Sequence, residues 1–69
     1  MNVAKGSIVV RRSYSGDIYF IVVDIQDNVA LLKGLFHRLM ADAPLEDLIR
    51  ISDAKEQWLL EKTGYARQD

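Results

Sequence analysis

The chain of 69 residues has no cysteine, one proline and one histidine. Without cysteine, neither a disulfide nor a thiolate metal site can form. The single histidine, His37, cannot build a zinc site without carboxylate help. A basic excess is absent too: the formal net charge is -1 and the isoelectric point is near 5.7. Domains that hold nucleic acid through its phosphates commonly have a pI above about 9. The longest apolar run, Ile18 to Val23, is far short of the ~20 residues that span a bilayer. Met1-Asn2-Val3-Ala4-Lys5 lacks the basic segment and apolar core of a signal peptide, so an intracellular chain without a membrane anchor is expected. Domains of this size bury only about 60% of their unfolded surface and are marginally stable. Stability is therefore expected from packing, from oligomerisation, or from other parts of a longer chain.

What is present is mostly β-pattern. Ser7 to Arg12 is rich in β-branched residues and predicts a first strand after Gly6. Ser13-Tyr14-Ser15-Gly16-Asp17 has turn chemistry, and Ile18 to Ile25 predicts a second strand. Gln26-Asp27-Asn28 supplies a tight reversal into a third strand, Val29 to Lys33. Gly34-Leu35-Phe36 turns again into a fourth, His37 to Ala41. Short strands with frequent turn signals predict a meander. An SH3-like barrel of about five antiparallel strands is the economical closure, and an open sheet with a helix on one face is the alternative.

At Ala43-Pro44 the pattern changes. Proline disfavours helix at the residue before it and suits the first helical position itself. Ala43 is thus expected to cap a short turn, with the Glu46 carboxylate reaching back to a free amide. Leu45 and Leu48 would face one way and plug a barrel end, and Ile49-Arg50-Ile51 predicts a brief fifth strand. Asp53 and Glu56 have capping-pair spacing, Ala54 to Thr63 lacks glycine and proline, and Gly64 marks a stop. At ~100° per residue, Ala54, Trp58 and Tyr65 share one side of this helix, and Leu59 and Leu60 fall off that stripe. One face is expected on the barrel, with Trp58 in packing between elements. The other face is expected to meet a second domain or a second copy, which would make a homodimer through the helix. Residues 1–51 then form the barrel and residues 52–69 the helix and a linker.

Three runs carry a resemblance: Gly6 to Tyr14 with Asp17-Ile18-Tyr19-Phe20, then Leu31-Leu32-Lys33-Gly34, then Arg38-Leu39-Met40-Ala41-Asp42-Ala43-Pro44-Leu45-Glu46-Asp47-Leu48. Their order and spacing, from about Lys5 to Ile51, resemble the N-terminal region of the YabG family of sporulation-specific proteases of endospore-forming bacteria. The resemblance implies a parent peptidase several times longer than this chain. It implies action in the mother cell and developing spore coat, on coat and morphogenetic proteins, with the hydrolytic machinery in a C-terminal part. No catalytic residue carries over to these positions. The expectation is a non-catalytic domain that positions a substrate or partner, the partners being its own protease domain and spore coat substrates. No cofactor is implied.

For chemistry, nucleophilic catalysis needs a hydroxyl beside a base. Ser7, Ser13, Ser15 and Ser52 sit at expected turns or caps and His37 at a turn, so no assembled site is expected. Asp42, Glu46 and Asp47 lack the alternating pattern of a calcium loop and fit a helix start better. The candidate partner-binding residues are Arg11, Arg12, Tyr14, Phe36, Arg38 and Asp42. If strands one and four lie close, the arginines and Tyr14 could form a basic and aromatic patch for acidic peptides or RNA. Such a small-barrel nucleic-acid module is the alternative function. The plainer expectation is Arg11 in solvent, with Arg12 or Arg38 paired to Asp17 or Asp42. Phe36 could anchor an interface or cover a barrel end.

Overall fold

The computed structural model describes residues 3–14 and 18–64. Ser15, Gly16 and Asp17 of the first turn, the expected pairing to Asp17, Tyr65 of the helical stripe and the polar end Arg67-Gln68-Asp69 lie outside the described residues. The chain folds as β1 (Ile8–Arg11), β2 (Phe20–Gln26), β3 (Val29–Gly34), β4 (Met40–Pro44), a 3-10 turn (Leu45–Asp47), β5 (Leu48–Arg50) and α1 (Asp53–Thr63). The five strands form one antiparallel sheet in the order β4-β3-β2-β1-β5. The mainly-β class, the five strands and the C-terminal helix are as expected, but the sheet is not closed into a barrel. β4 and β5 are its two edges, joined through the 3-10 turn rather than by a ladder.

Strand four begins later than the sequence suggests, at Met40 instead of His37. The Gly34 amide donates to the Leu39 carbonyl at 2.7 Å and closes residues 35–39 into a loop. A Cβ on Gly34 would stand 2.6 Å from the His37 carbonyl oxygen, so the loop folds too close for any other residue. Ala43 is a buried strand residue, not a cap; Pro44 caps the 3-10 turn with no side-chain hydrogen bond. Proline is tolerated there because the Leu45 amide donates to Asn28. Ladder alternation then points the Pro44 nitrogen to the open side of the edge strand, where no bond is lost.

Two apolar clusters sit on opposite faces of the sheet. Val9, Phe20, Val22, Ala30, Leu32, Ala43 and Leu48 make the inner core, with Val3, Ile18, Ile25 and Leu45 packed against it. Leu45 and Leu48 thus both pack on the inner core, but in an open sheet they do not plug a barrel end as expected. On the outer face Ile8, Leu35 and Leu59 form the second cluster, joined by Tyr19, Ile21, Ile51 and Leu60. β1 is consequently buried on both sides, and Ile8 and Val9 are each 0% exposed. A register shift between Val22 and Asp24 marks a bulge in β2. The extra residue, Val23, is exposed, and past it the side-chain parity flips.

The helix is set differently from the expected cap and stripe. Ser52 is the N-cap, its hydroxyl accepting from the Lys55 amide at 3.3 Å, and Gly64 closes the far end in the left-handed conformation. Leu59 is the side that packs, and Trp58 is turned out at 53% exposure with the Lys62 ammonium 5.1 Å from its ring centre. The reason lies in Glu56. Its carboxylate is freed by Ser52 from any capping task and accepts the Ile8 amide at 3.1 Å, while only 4% of the residue is exposed. β5 ends at Arg50, the Ile51 amide donates to the Ile8 carbonyl, and no strand residue remains to take the Ile8 N–H. Glu56 stands where that partner would be, and this fixes the rotation of α1.

An 11-residue helix is marginal by itself in water, so docking carries its stability. Leu59→Ala is expected to cost about 2–5 kcal/mol, and Trp58→Ala to stay within about 0.5 kcal/mol, in urea unfolding. Glu56→Ala orphans a buried amide and should cost about 1–3 kcal/mol, while Glu56→Gln, which keeps an acceptor, should cost less.

Candidate functional site

The densest polar constellation is built where the end of β1 meets the 3-10 turn. Arg11 lies opposite Leu48 in the β1–β5 register, which brings its side chain to Asp47. The Arg11 Nε donates to Asp47 Oδ2 at 2.8 Å, the Ser13 hydroxyl donates to the same oxygen at 2.8 Å, and the Ser13 amide donates to Oδ1 at 3.0 Å. Both ion-pair side chains are only 16% exposed. The Arg11 Nη1 donates to the Tyr14 hydroxyl at 3.3 Å, and the guanidinium carbon stands 4.7 Å from that ring's centre. Tyr14 in turn tilts against Phe20 with ring centres 6.2 Å apart. Arg12 completes the junction through its amide to the Asp47 carbonyl at 2.7 Å and its Nε to the Glu46 carbonyl at 3.1 Å.

This reverses the expected roles of the arginines. Arg11 is the paired one and Arg12 the more exposed. Arg11, Arg12 and Tyr14 are brought together, but β2 and β3 stand between β1 and β4. The adjacency of strands one and four that was to add Arg38 is therefore absent. Arg38 is exposed on the β3–β4 loop. Phe36, on the same loop and 55% exposed, meets the Tyr19 ring edge-on at 6.4 Å, and Lys55 of α1 lies 5.3 Å from the Tyr19 ring centre. Asp42 projects from β4, across from Leu31 of β3.

The described serine hydroxyls are each engaged locally. Ser7 Oγ accepts the Ala4 amide, Ser13 holds Asp47 and Ser52 caps α1. No hydrogen bond joins any of them to His37 among the described residues. No group of three or more His, Cys, Asp or Glu converges as metal ligands among them either.

Two open grooves stand out among the described residues. One, of about 740 Å³, runs along the length of α1 and is lined by Arg50, Asp53, Glu56, Gln57, Leu60, Glu61 and Gly64. Arg50 Nη2 donates to Asp53 at 2.8 Å, and its buried Nε has no hydrogen-bond partner among the described residues. The other, of about 440 Å³, lies on the outer face of β2, β3 and β4 and is lined by Asp24, Gln26, Asp27, Val29, Leu31 and Asp42.

A sequence model described as YabG peptidase U57 matches residues 4–68. The chain belongs to the YabG peptidase family. The match runs through α1, beyond the Lys5 to Ile51 span that the resemblance covered. No curated protein and no solved structure matches the chain.

Within this YabG-family domain, the residues that sequence reasoning missed are Asp47, Glu56 and Asp24. By its spacing Asp47 groups with Asp42 and Glu46 as a turn-start carboxylate, which hides its bond to Arg11. The available signal was an arginine at the end of the first strand and an aspartate just before the last, two strands that any SH3-like meander pairs.

The hydrogen bonds from Arg11 and then Ser13 hold the Asp47 carboxyl below its ordinary value of 3.8, outweighing the desolvation that would raise it. A carboxyl lowered on folding adds stability that is complete above the unfolded value, and this is lost as pH falls through the folded one. In unfolding experiments the difference between this chain and its Asp47→Asn variant should be constant near neutrality and shrink below about pH 4. A difference that persists unchanged into strong acid would show that the charge on Asp47 is not what matters.

Proposed function

We propose that this is the non-catalytic N-terminal domain of a YabG-type sporulation protease, and that it positions a substrate segment or coat partner near the hydrolytic part. The observation that carries this is the fate of the polar groups. Every described serine is tied to a backbone amide or to Asp47, and Asp47 is tied to Arg11. A nucleophile needs a free hydroxyl within reach of a base, and these groups are spent on holding the fold. What the surface offers instead is binding area: two open grooves and the exposed aromatics Phe36 and Trp58. The partners in this reading are spore coat proteins and the parent's own protease domain, and the setting is the mother cell and the developing coat.

The experiment is removal of this domain from a full-length family member. Cleavage of a short unstructured peptide should continue at close to its original rate, while cleavage of coat proteins changes in rate, order or location. Equal loss on the short peptide and on every protein substrate would place the domain in the catalytic unit instead.

A further inference from the structure

Among the described residues β4 pairs with β3 alone, and its other side is open. Bonds from the Gly34 amide to Leu39 and from the Leu45 amide to Asn28 set the phase of the ladder at both ends. By antiparallel alternation, Ala41 and Ala43 turn their backbone groups toward β3. Met40, Asp42 and Pro44 turn theirs outward. The open edge therefore presents N–H and C=O of Met40 and of Asp42, while the Pro44 carbonyl is taken up by the 3-10 turn that Pro44 caps. Natural sheets blunt such edges; β4 is short and carries Asp42 and Pro44 for this, but no lysine and no bulge.

Those same outward residues project their side chains onto the outer face, where three cross-strand rows run back into the sheet. They are Ile21–Lys33–Met40, Asp24–Leu31–Asp42 and Gln26–Val29–Pro44. The 440 Å³ groove occupies the last two rows, with Val29 and Leu31 as an apolar floor and Asp24, Asp27 and Asp42 as its charges. No basic side chain lines it. Lys5 approaches Asp24 from one side at 3.9 Å, and Asp27 and Asp42 form no ion pair among the described residues. Lys33 stands one row away, beside Met40.

We propose that the β4 edge binds an extended peptide segment with a lysine or arginine between two apolar residues at alternate positions, added to the sheet as a further strand. Unpaired backbone groups supply the pairing and alternate side chains the selection, as in strand addition generally. The basic side chain lies over Asp42 and reaches along the Leu31–Asp24 row. Its apolar neighbours, two residues to either side, lie against Met40 and against the Pro44–Val29 row. Charge argues against a second copy as occupant, because a two-fold pairing of β4 with itself about Asp42 would oppose two carboxylates directly.

This inference deepens the positioning role proposed above and rests on it. The test is fluorescence anisotropy of this chain with a labelled peptide in which arginine sits between valines at every second position. Binding is expected, weakened about two- to fivefold by Asp42→Asn, as for an exposed ion pair, and weakened by added salt. The same peptide with glutamate for arginine, or with backbone N-methyl groups on its pairing edge, should not bind. Equal binding of the glutamate peptide, undiminished binding of the N-methylated one, or dimerisation of the chain through β4 in sedimentation would each overturn the site. If the peptide fails while domain removal still alters substrate choice, the positioning role stands and this edge is not its means.

Discussion

Ile8 and Val9 are adjacent in the chain, point to opposite faces of β1, and are both closed to solvent. In a sheet with one wet side, one of the two would be exposed. β1 is paired on both flanks, by β2 and β5, and covered on both faces. That leaves its backbone no recourse to water, so each of its polar groups needs a protein partner. The Ile8 amide is the test case, since β5 is too short to reach it. The carboxylate of Glu56 fills the gap, and α1 is thereby brought across the outer face with Leu59 against Ile8. Two cores in so small a chain are possible because one strand serves both.

The second organising contact is the knot around Asp47. It fastens the end of β1 to the start of β5 through side chain and backbone together. Since β4 and β5 share no ladder, this junction and the packing of Leu45 and Leu48 on the inner core hold the curled sheet in shape. An arginine and an aspartate that could have served recognition are used here as structure. That division leaves the outer face around Asp24, Leu31 and Asp42 as an open groove beyond the cluster that α1 forms with Ile8 and Ile21.

Much of the fold was legible. β-branched runs between turn residues located β1, β2 and β3, and Gly64 ended the helix where glycine usually does. The departures have local causes that periodicity cannot express. Strand four was displaced because Gly34 permits a close loop return, a tertiary contact that no propensity records. Pro44 read as a helix start, although an edge strand accepts proline wherever its nitrogen faces outward. On the helix, Ser52 and Asp53 are both good caps, and only the demand of the Ile8 amide for Glu56 decides between their rotations. Leu59 and Leu60 then face in, and the larger Trp58 faces out. For the candidate site, Arg11, Arg12 and Tyr14 lie together as the sequence grouped them, but Arg38, grouped with them, does not. The sequence could not show that two strands separate them from Asp42, or that a bulge at Val23 turns Asp24 to the same face as Asp42.

Glu56 also joins two things that are usually separate in a protein of this kind, the protection of a strand amide and the docking of a helix. Within a ladder, exchange of an amide hydrogen with solvent reports on the parting of two strands. The Ile8 hydrogen reports on something else, because its acceptor arrives from 48 residues away on α1. Its exchange is gated by the helix lifting from the sheet, even while β1, β2 and β5 remain paired. In a longer parent chain, anything that pulled on the helix would be felt first at this one amide, in the most deeply buried strand of the domain.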